Sequence, residues 1–240
     1  MDKFIINGGI PLKGEVIPGG NKNAALPLLA ACLLTEEPVI LHNVPDIQDV
    51  QTMGKLIKSL GVEITELGSN TWQVQAREIR PAELDPDLCR KIRASILLAG
   101  PTVAKTGELL LPPPGGDVIG RRRVDTHLLA LEKLGATISY DRAFKFQSNG
   151  LTGADILLDE TSVTATENAI MAAVLATGKS TIRNAASEPH VQELCHLINK
   201  MGGQIENIGS NTLNIEGVKV LHGTEFEIGP DYLEVISFVG

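Results

Sequence analysis

Val39-Ile40-Leu41-His42-Asn43, continued by Leu56-Ile57-Lys58-Ser59-Leu60-Gly61-Val62-Glu63-Ile64 and Gly68-Ser69-Asn70-Thr71, has an echo later in the chain. At a spacing of 141 residues, Asn43 maps to Asn184, Leu56-Ile57 to Leu197-Ile198, Gly61 to Gly202 and Ile64 to Ile205. The turn maps to Gly209-Ser210-Asn211-Thr212. Self-similarity at a fixed spacing marks a repeat architecture, so one supersecondary unit is expected to recur.

The first copy reads as an apolar helix, a strand at Val39–Leu41, a helix from Asp46 to Leu60, Gly61, a strand at Val62–Thr65, a turn, and a strand at Trp72–Val74. A middle copy reads as helix Arg93–Ala104, strand Leu109–Leu111, helix Val124–Leu134, Gly135 and strand Ala136–Tyr140. The second helix of each copy carries apolar residues three and four apart, as in Ile47, Val50, Met53, Leu56 and Leu60, or Val191, Leu194, Leu197 and Met201. A glycine after each supplies the left-handed cap. The expected fold class is α/β, three units of a βαβαββ type around a pseudo-threefold axis, with the apolar first helices at its centre.

The copies differ at one connection. Gly61 lies 22 positions after Val39 and Gly202 22 after Ser180, but Gly135 lies 26 after Leu109. The added length falls in Leu111-Pro112-Pro113-Pro114-Gly115-Gly116-Asp117-Val118-Ile119-Gly120-Arg121-Arg122-Arg123. Prolines stiffen this run, glycines permit close backbone approach, and arginines offer forked donors suited to phosphate or carboxylate. A scaffold that lengthens one loop and fills it this way has placed function there, gripping a small anion beside the acid Asp117.

Gly19-Gly20-Asn21-Lys22-Asn23 opens the first apolar helix. Pro27 is tolerated in a first turn, which puts the helix start near Asn23 and Lys22 beside free amides that favour an anion. Upstream, Lys3–Ile6 reads as a short strand, with an extended piece at Leu12–Ile17. At the other end Asp231 reads as the N-cap of an apolar helix that Gly240 cuts short, so a longer protein is expected.

Composition narrows the classes of partner. Aromatic residues make up 3% and the net charge is −8, which opposes base stacking and phosphate-backbone binding, so no nucleic-acid partner is expected. Cys32, Cys89 and Cys195 form no CxxC pair and the five histidines no HxxxH or HExxH spacing, so no metal site is expected. The apolar run Ala24–Leu34 is too short for a bilayer, and Met1–Ile10 has no signal-peptide pattern. A cytoplasmic protein with no membrane partner is the expectation.

Gly20-Asn21-Lys22-Asn23-Ala24-Ala25-Leu26-Pro27, Arg93-Ala94-Ser95, Pro114-Gly115-Gly116-Asp117-Val118-Ile119-Gly120-Arg121-Arg122 and Val124-Asp125-Thr126-His127 resemble the UDP-N-acetylglucosamine enolpyruvyl transferases, or 1-carboxyvinyltransferases. The resemblance runs through the whole chain but covers about the first half of the usual family length. It implies an inside-out α/β barrel protein of two domains with the active site between them. Residues 21–229 would form one complete domain, and 1–20 and 230–240 would be fragments of the other.

The implied reaction moves the enolpyruvyl group of phosphoenolpyruvate to the sugar 3-hydroxyl and releases phosphate, with no cofactor. Lys22, Arg93 and Arg122 would neutralise the phosphate and carboxylate, Asn23 would contact the reacting centre, and Asp117 and Lys22 would be the catalytic pair. Arg122, Arg123, Val124, Asp125, Thr126 and His127, with Glu160, Thr161, Ser162 and Val163, match the uridine and diphosphate contacts. Asp117 stands where the family usually has cysteine, and Glu160 where lysine is common. The base and an arginine of the second domain would lie beyond Gly240, the C-terminal domain being the missing partner. Two alternatives stand beside this reading: a non-catalytic sugar-nucleotide-binding half-domain, and the related shikimate-pathway transferases, which open with a Ser-Lys-Ser type motif where this chain has Asn21-Lys22-Asn23.

Overall fold

The computed structural model describes residues 3–5, 7–9, 11, 13–80, 83–116 and 123–240. The first repeat comprises α1 (Lys22–Ala31), a 3-10 turn (Cys32–Leu34), β1 (Val39–His42), α2 (Gln48–Ser59), β2 (Glu63–Gly68) and β3 (Thr71–Gln75). The second comprises α3 (Pro86–Lys91), a 3-10 helix (Arg93–Leu98), α4 (Ala99–Thr106), β4 (Glu108–Leu111), α5 (Asp125–Lys133), β5 (Thr137–Asp141) and β6 (Ala143–Gln147). The third comprises β7 (Asp155–Leu157), α6 (Val163–Ala173), β8 (Lys179–Arg183), α7 (Pro189–Lys200), β9 (Gln204–Glu206) and β10 (Thr212–Glu216). β11 (Thr224–Glu227) and α8 (Tyr232–Val239) follow.

Each repeat folds its last two strands back as an antiparallel ladder, in the orders β1-β3-β2, β4-β6-β5 and β8-β10-β9. A parallel partner then joins the first strand of each. β7 pairs with β8, Glu83 bridges Leu110, and β11 pairs with β1 through Val39↔Thr224 to His42↔Glu227. The third repeat thus hands its outgoing strand back to the first and closes a ring. This is the βαβαββ unit expected, with the leading strand of the first repeat drawn from the far end of the chain.

One asparagine device recurs in the closure. Asn43 and Asn184 both take positive φ, 56° and 59°. Their Nδ2 groups donate to the Ile228 carbonyl (2.9 Å) and the Leu158 carbonyl (3.0 Å), the residues just past β11 and β7. Asparagine tolerates the left-handed region where most side chains do not. Aligned on the buried positions of β1, β8 and β4, the middle repeat has Pro113 there, whose ring excludes positive φ. That turn cannot be repeated, and the long loop departs at this point.

The core lies on the axis. Ala24 to Ala31 of α1 are all buried, as are Ala165 to Ala173 of α6 and Ala99 to Val103 of α4. α4 packs on α6, and α1 packs on α6 and the 3-10 helix. Small side chains let these backbones approach: a Cβ on Gly100 would stand 2.5 Å from the Asn168 carbonyl. Gly61, Gly135 and Gly202 cap the outer helices at φ +87°, +99° and +101°.

Three expectations are corrected. Among the described residues Lys3–Ile5 join no strand and Lys13–Ile17 stay unpaired; Phe4 and Ile17 are 93% and 89% exposed. Helix Arg93–Ala104 is divided at Leu98, since Pro101 has no N–H to return to the Leu97 carbonyl. Pro27 lies in the second turn of α1, which starts at Lys22, and so withholds the usual helical donor from the Asn23 carbonyl.

Candidate active site

The axial helices end around a cavity of about 350 Å³. Lys22, Asn23, Asp49, Lys91, Arg93, Thr164, Glu167, Glu188 and His190 supply its polar lining; Leu26, Pro27, Ala94, Leu97 and Val163 the apolar part. Several of these side chains come from the start of an element. Lys22 opens α1, Arg93 opens the 3-10 helix, Val163 opens α6, and Glu188 precedes α7. The threefold arrangement therefore aims helix N-termini, and the positive ends of their dipoles, at one place.

Asn21 is the N-cap of α1, its Oδ1 accepting from the amides of Asn23 (2.8 Å) and Ala24 (3.2 Å). Those amides are thus already taken, and the anion-binding capacity here falls to side chains. Lys22 Nζ donates to Asp49 Oδ2 at 3.1 Å, both side chains remaining substantially exposed. Arg93 Nη2 donates to the Arg123 carbonyl, which ties the cavity to the segment before α5. Lys22, Lys91 and Arg93 all line the cavity, where an oxygen anion would meet cationic donors.

The described part of the long loop is fastened to α3. Gly115 and Gly116 donate to the carbonyls of Cys89 (3.0 Å) and Arg90 (2.9 Å). A Cβ on Gly115 would lie 1.9 Å from the Arg90 carbonyl oxygen, and Gly116 holds φ +89° against Arg93. Gly116 lines the cavity. Asp117, Arg121 and Arg122 lie outside the described residues.

The segments expected to hold uridine and diphosphate are brought side by side by a residue sequence reasoning missed. Asp159 Oδ1 accepts from Thr126 Oγ1 at 2.6 Å, and its Oδ2 from Arg123 Nη2 at 3.0 Å. The Thr126 hydroxyl, foremost, holds the Asp159 carboxyl below its ordinary range. Arg123 also reaches Asp125 Oδ2 at 2.8 Å. Beyond Asp159, the Glu160 carbonyl accepts from Ser162 N, Thr161 Oγ1 donates to Asn184 Oδ1 (2.8 Å), and Ser162 caps α6. Val124 stands just before α5, half-buried.

His127 faces inward rather than toward the cavity. It is 2% exposed, with Nδ1 at 2.8 Å from Asn168 Nδ2 and Nε2 at 3.1 Å from Thr164 Oγ1. Burial, then the nearby Arg93 charge, lowers its pKa to about 3. His127 is a neutral strut, and Thr164 beside it lines the cavity. Among the described residues no cluster of His, Cys, Asp or Glu could hold a metal, and no helix is long and apolar enough to cross a membrane.

The protein-family model for EPSP synthase (3-phosphoshikimate 1-carboxyvinyltransferase) matches residues 6–240. Among curated proteins, the chain is 56% identical over its whole length to the UDP-N-acetylglucosamine 1-carboxyvinyltransferase of Treponema denticola, covering 56% of that protein. It is 54% identical over 99% of its length to the enzyme of that name from Bradyrhizobium diazoefficiens, covering 55%. The chain spans about half the length of the curated relatives it matches. Among solved structures, the enolpyruvyl transferase NikO of Streptomyces tendae superposes with a TM-score of 0.84 at 25% identity, over 98% of this chain and 56% of that one. EPSP synthase of Acinetobacter baumannii shares the fold, with a TM-score of 0.75 at 16% identity over 94% of this chain and 52% of that one. The closed ring of three βαβαββ units with its axial cavity is thus the inside-out α/β architecture of these enzymes, and the chain belongs to the EPSP synthase (1-carboxyvinyltransferase) family.

Proposed function

We propose that this chain carries the nucleotide- and phosphate-gripping part of an enzyme that transfers the enolpyruvyl group of phosphoenolpyruvate to the 3-hydroxyl of UDP-N-acetylglucosamine and releases phosphate. The observation that carries the reading is the convergence of Lys22, Asn23 and Arg93 on one cavity, a hydrogen bond away from the Arg123–His127 segment. The identity to proteins named for this reaction supports the choice of acceptor.

In this reading Lys22, Arg93 and Arg122 offset the charge of the phosphate and carboxylate as the tetrahedral intermediate forms and collapses. Asn23 positions the reacting centre. The Arg123–His127 and Glu160–Val163 backbones cradle uridine and diphosphate, and Asp117 is the loop acid. Glu160, exposed and acidic, contributes through its main chain, since a second carboxylate beside a diphosphate repels it.

Residues 21–229 form one domain, and 1–20 with 230–240 belong to a second that supplies the base and a further arginine. The exposed Phe4, Ile17, Ile236 and Phe238 support this division, being apolar surface that a second domain would cover. The reaction belongs in the cytoplasm, at the first committed step of peptidoglycan synthesis.

Calorimetric titration tests the acceptor. UDP-N-acetylglucosamine should give saturable heat with this chain and shikimate 3-phosphate none; the reverse order overturns the reading. Release of inorganic phosphate from phosphoenolpyruvate by the enzyme containing this chain, dependent on the sugar nucleotide and lost in Lys22→Ala, tests the chemistry.

A further inference from the structure

Glu167 is the one ionisable side chain in α6, a buried and otherwise uncharged helix. It is 1% exposed, it lines the cavity, and its Oε1 is buried without a hydrogen-bond partner. An unpartnered buried polar atom costs roughly 1–3 kcal/mol, so its retention needs a reason. Val163, Thr164 and Glu167 lie on one face of α6, and all three line the cavity, so Glu167 occupies its helical side while Lys22, Asn23 and Arg93 come from other elements.

We propose that Glu167 is a ligand-binding residue of the cavity, its carboxyl donating a hydrogen bond to the oxygen anion that Lys22, Asn23 and Arg93 also hold. A carboxyl can donate only while it keeps its proton. Burial, and then the charge of Glu188, push Glu167 well above the ordinary carboxylate range. The neighbouring charges are mixed. α1 brings Lys22, the 3-10 helix Arg93, α5 the neutral His127, and α7 His190 and Cys195 with Glu188 ahead of it. α4 meets α6 at Gly100, and its Lys105 is directed instead to Glu36. As a neutral acid Glu167 adds a donor to the cavity; ionised, it would repel the anion.

This rests on reading the cavity as an anion site, and the test separates it from the choice of substrate. Inorganic phosphate and UDP-N-acetylglucosamine are titrated calorimetrically, from neutral to alkaline pH, into the chain, Glu167→Gln and Glu167→Leu. Glutamine keeps a donor and cannot ionise; leucine keeps the bulk and loses the donor. At neutral pH Glu167→Leu should bind phosphate about tenfold more weakly, the worth of one charge-assisted hydrogen bond. Glu167→Gln should bind nearly as the parent does, and should lose the part of the parent's alkaline decline that Glu167 causes. A melting temperature of Glu167→Leu at or above the parent's shows the loss is not unfolding. Infrared difference spectra should show a protonated-carboxyl band that moves when phosphate is added and is missing in Glu167→Gln. Phosphate binding with this pattern but no sugar-nucleotide heat sinks the substrate reading and upholds Glu167. Equal affinity in Glu167→Leu, or parallel pH profiles for parent and Glu167→Gln, overturns the proposal while leaving the substrate reading intact. Absence of phosphate binding in the parent overturns the proposal too.

Discussion

Asn168 hands His127 its tautomer. The Asn168 amide is oriented by two backbone groups, donating to the Ile96 carbonyl and accepting from Gly100 N, each at 2.8 Å. Its Nδ2 therefore also points a hydrogen at His127 Nδ1, which leaves the ring proton on Nε2 to be donated to Thr164. One amide thus ties α4, the 3-10 helix, α5 and α6 together beside the cavity.

That arrangement gives the fold an acid limit. His127 titrates at about 3 when folded, against 6.5 ordinarily. Between those values the unfolded chain takes up a proton that the folded chain refuses, so stability falls as pH falls through this window. The slope from this one group reaches about 1.4 kcal/mol per pH unit. His127→Gln should lower stability at neutral pH by about 1–3 kcal/mol, through the lost network. Urea unfolding should also find its acid decline shallower than the parent's. Comparing the two chains cancels carboxylates common to both, and identical slopes would contradict the assignment.

How much of this was legible depended on whether a residue's role is local. Asn43, Asn184, Gly61, Gly135 and Gly202 announce backbone conformations that few other residues adopt, so the repeat and its caps could be read directly. The ring closure by β11 could not, because pairing Val39 with Thr224 is a long-range event with no local mark. Pro27 misled, since burial along the whole of α1 outweighs the one helical hydrogen bond it forfeits. Asp159 and Glu167 escaped for opposite reasons. Asp159 works through Thr126 and Arg123, far off in sequence, whereas Glu167 did carry a signal, a lone acid within an otherwise uncharged central helix.

Gly115→Ala tests whether the loop must lie on α3. The new methyl would fall 1.9 Å from the Arg90 carbonyl oxygen, which is backbone and cannot swing aside. The loop must then lift, and Gly116 leaves Arg93. Stability should drop by about 1–3 kcal/mol, as for other overpacking changes. Phosphate affinity should drop as well, by about tenfold, one charge-assisted hydrogen bond's worth. Calorimetry alongside thermal unfolding checks both, and unchanged phosphate binding would show the anion site is indifferent to the loop.

At position 117 the prediction is chemical. Fosfomycin inactivates typical members of the resembled family by alkylating a loop cysteine, and a thiolate is far the better nucleophile toward an epoxide than a carboxylate. The enzyme containing Asp117 should therefore keep its activity after incubation with the drug, and Asp117→Cys should lose it irreversibly with a mass increase on the loop peptide. Covalent inactivation of the unaltered enzyme would contradict the prediction.

Asp159 offers the sharpest division within the site. Its ion pair with Arg123 is partly exposed, the two side chains being 36% and 45% accessible, so solvent screening leaves it little direct effect on stability. What it does for binding is larger in this account, because the carboxylate sets the spacing between the Arg123–His127 turn and the start of α6. Asp159→Ala should thus leave the melting temperature nearly unchanged. Affinity for UDP should fall about tenfold, which corresponds to roughly 1.4 kcal/mol. Phosphate, held at Lys22 and Arg93, should bind almost as before. Thr126→Val removes the shortest of Asp159's bonds, 2.6 Å, without removing the charge. A double-mutant cycle on UDP affinity should then give a coupling of about 0.5–3 kcal/mol between positions 126 and 159, as expected for direct partners. Two results would refute the picture: additive losses in the cycle, or UDP and phosphate affinities that fall by the same factor in Asp159→Ala.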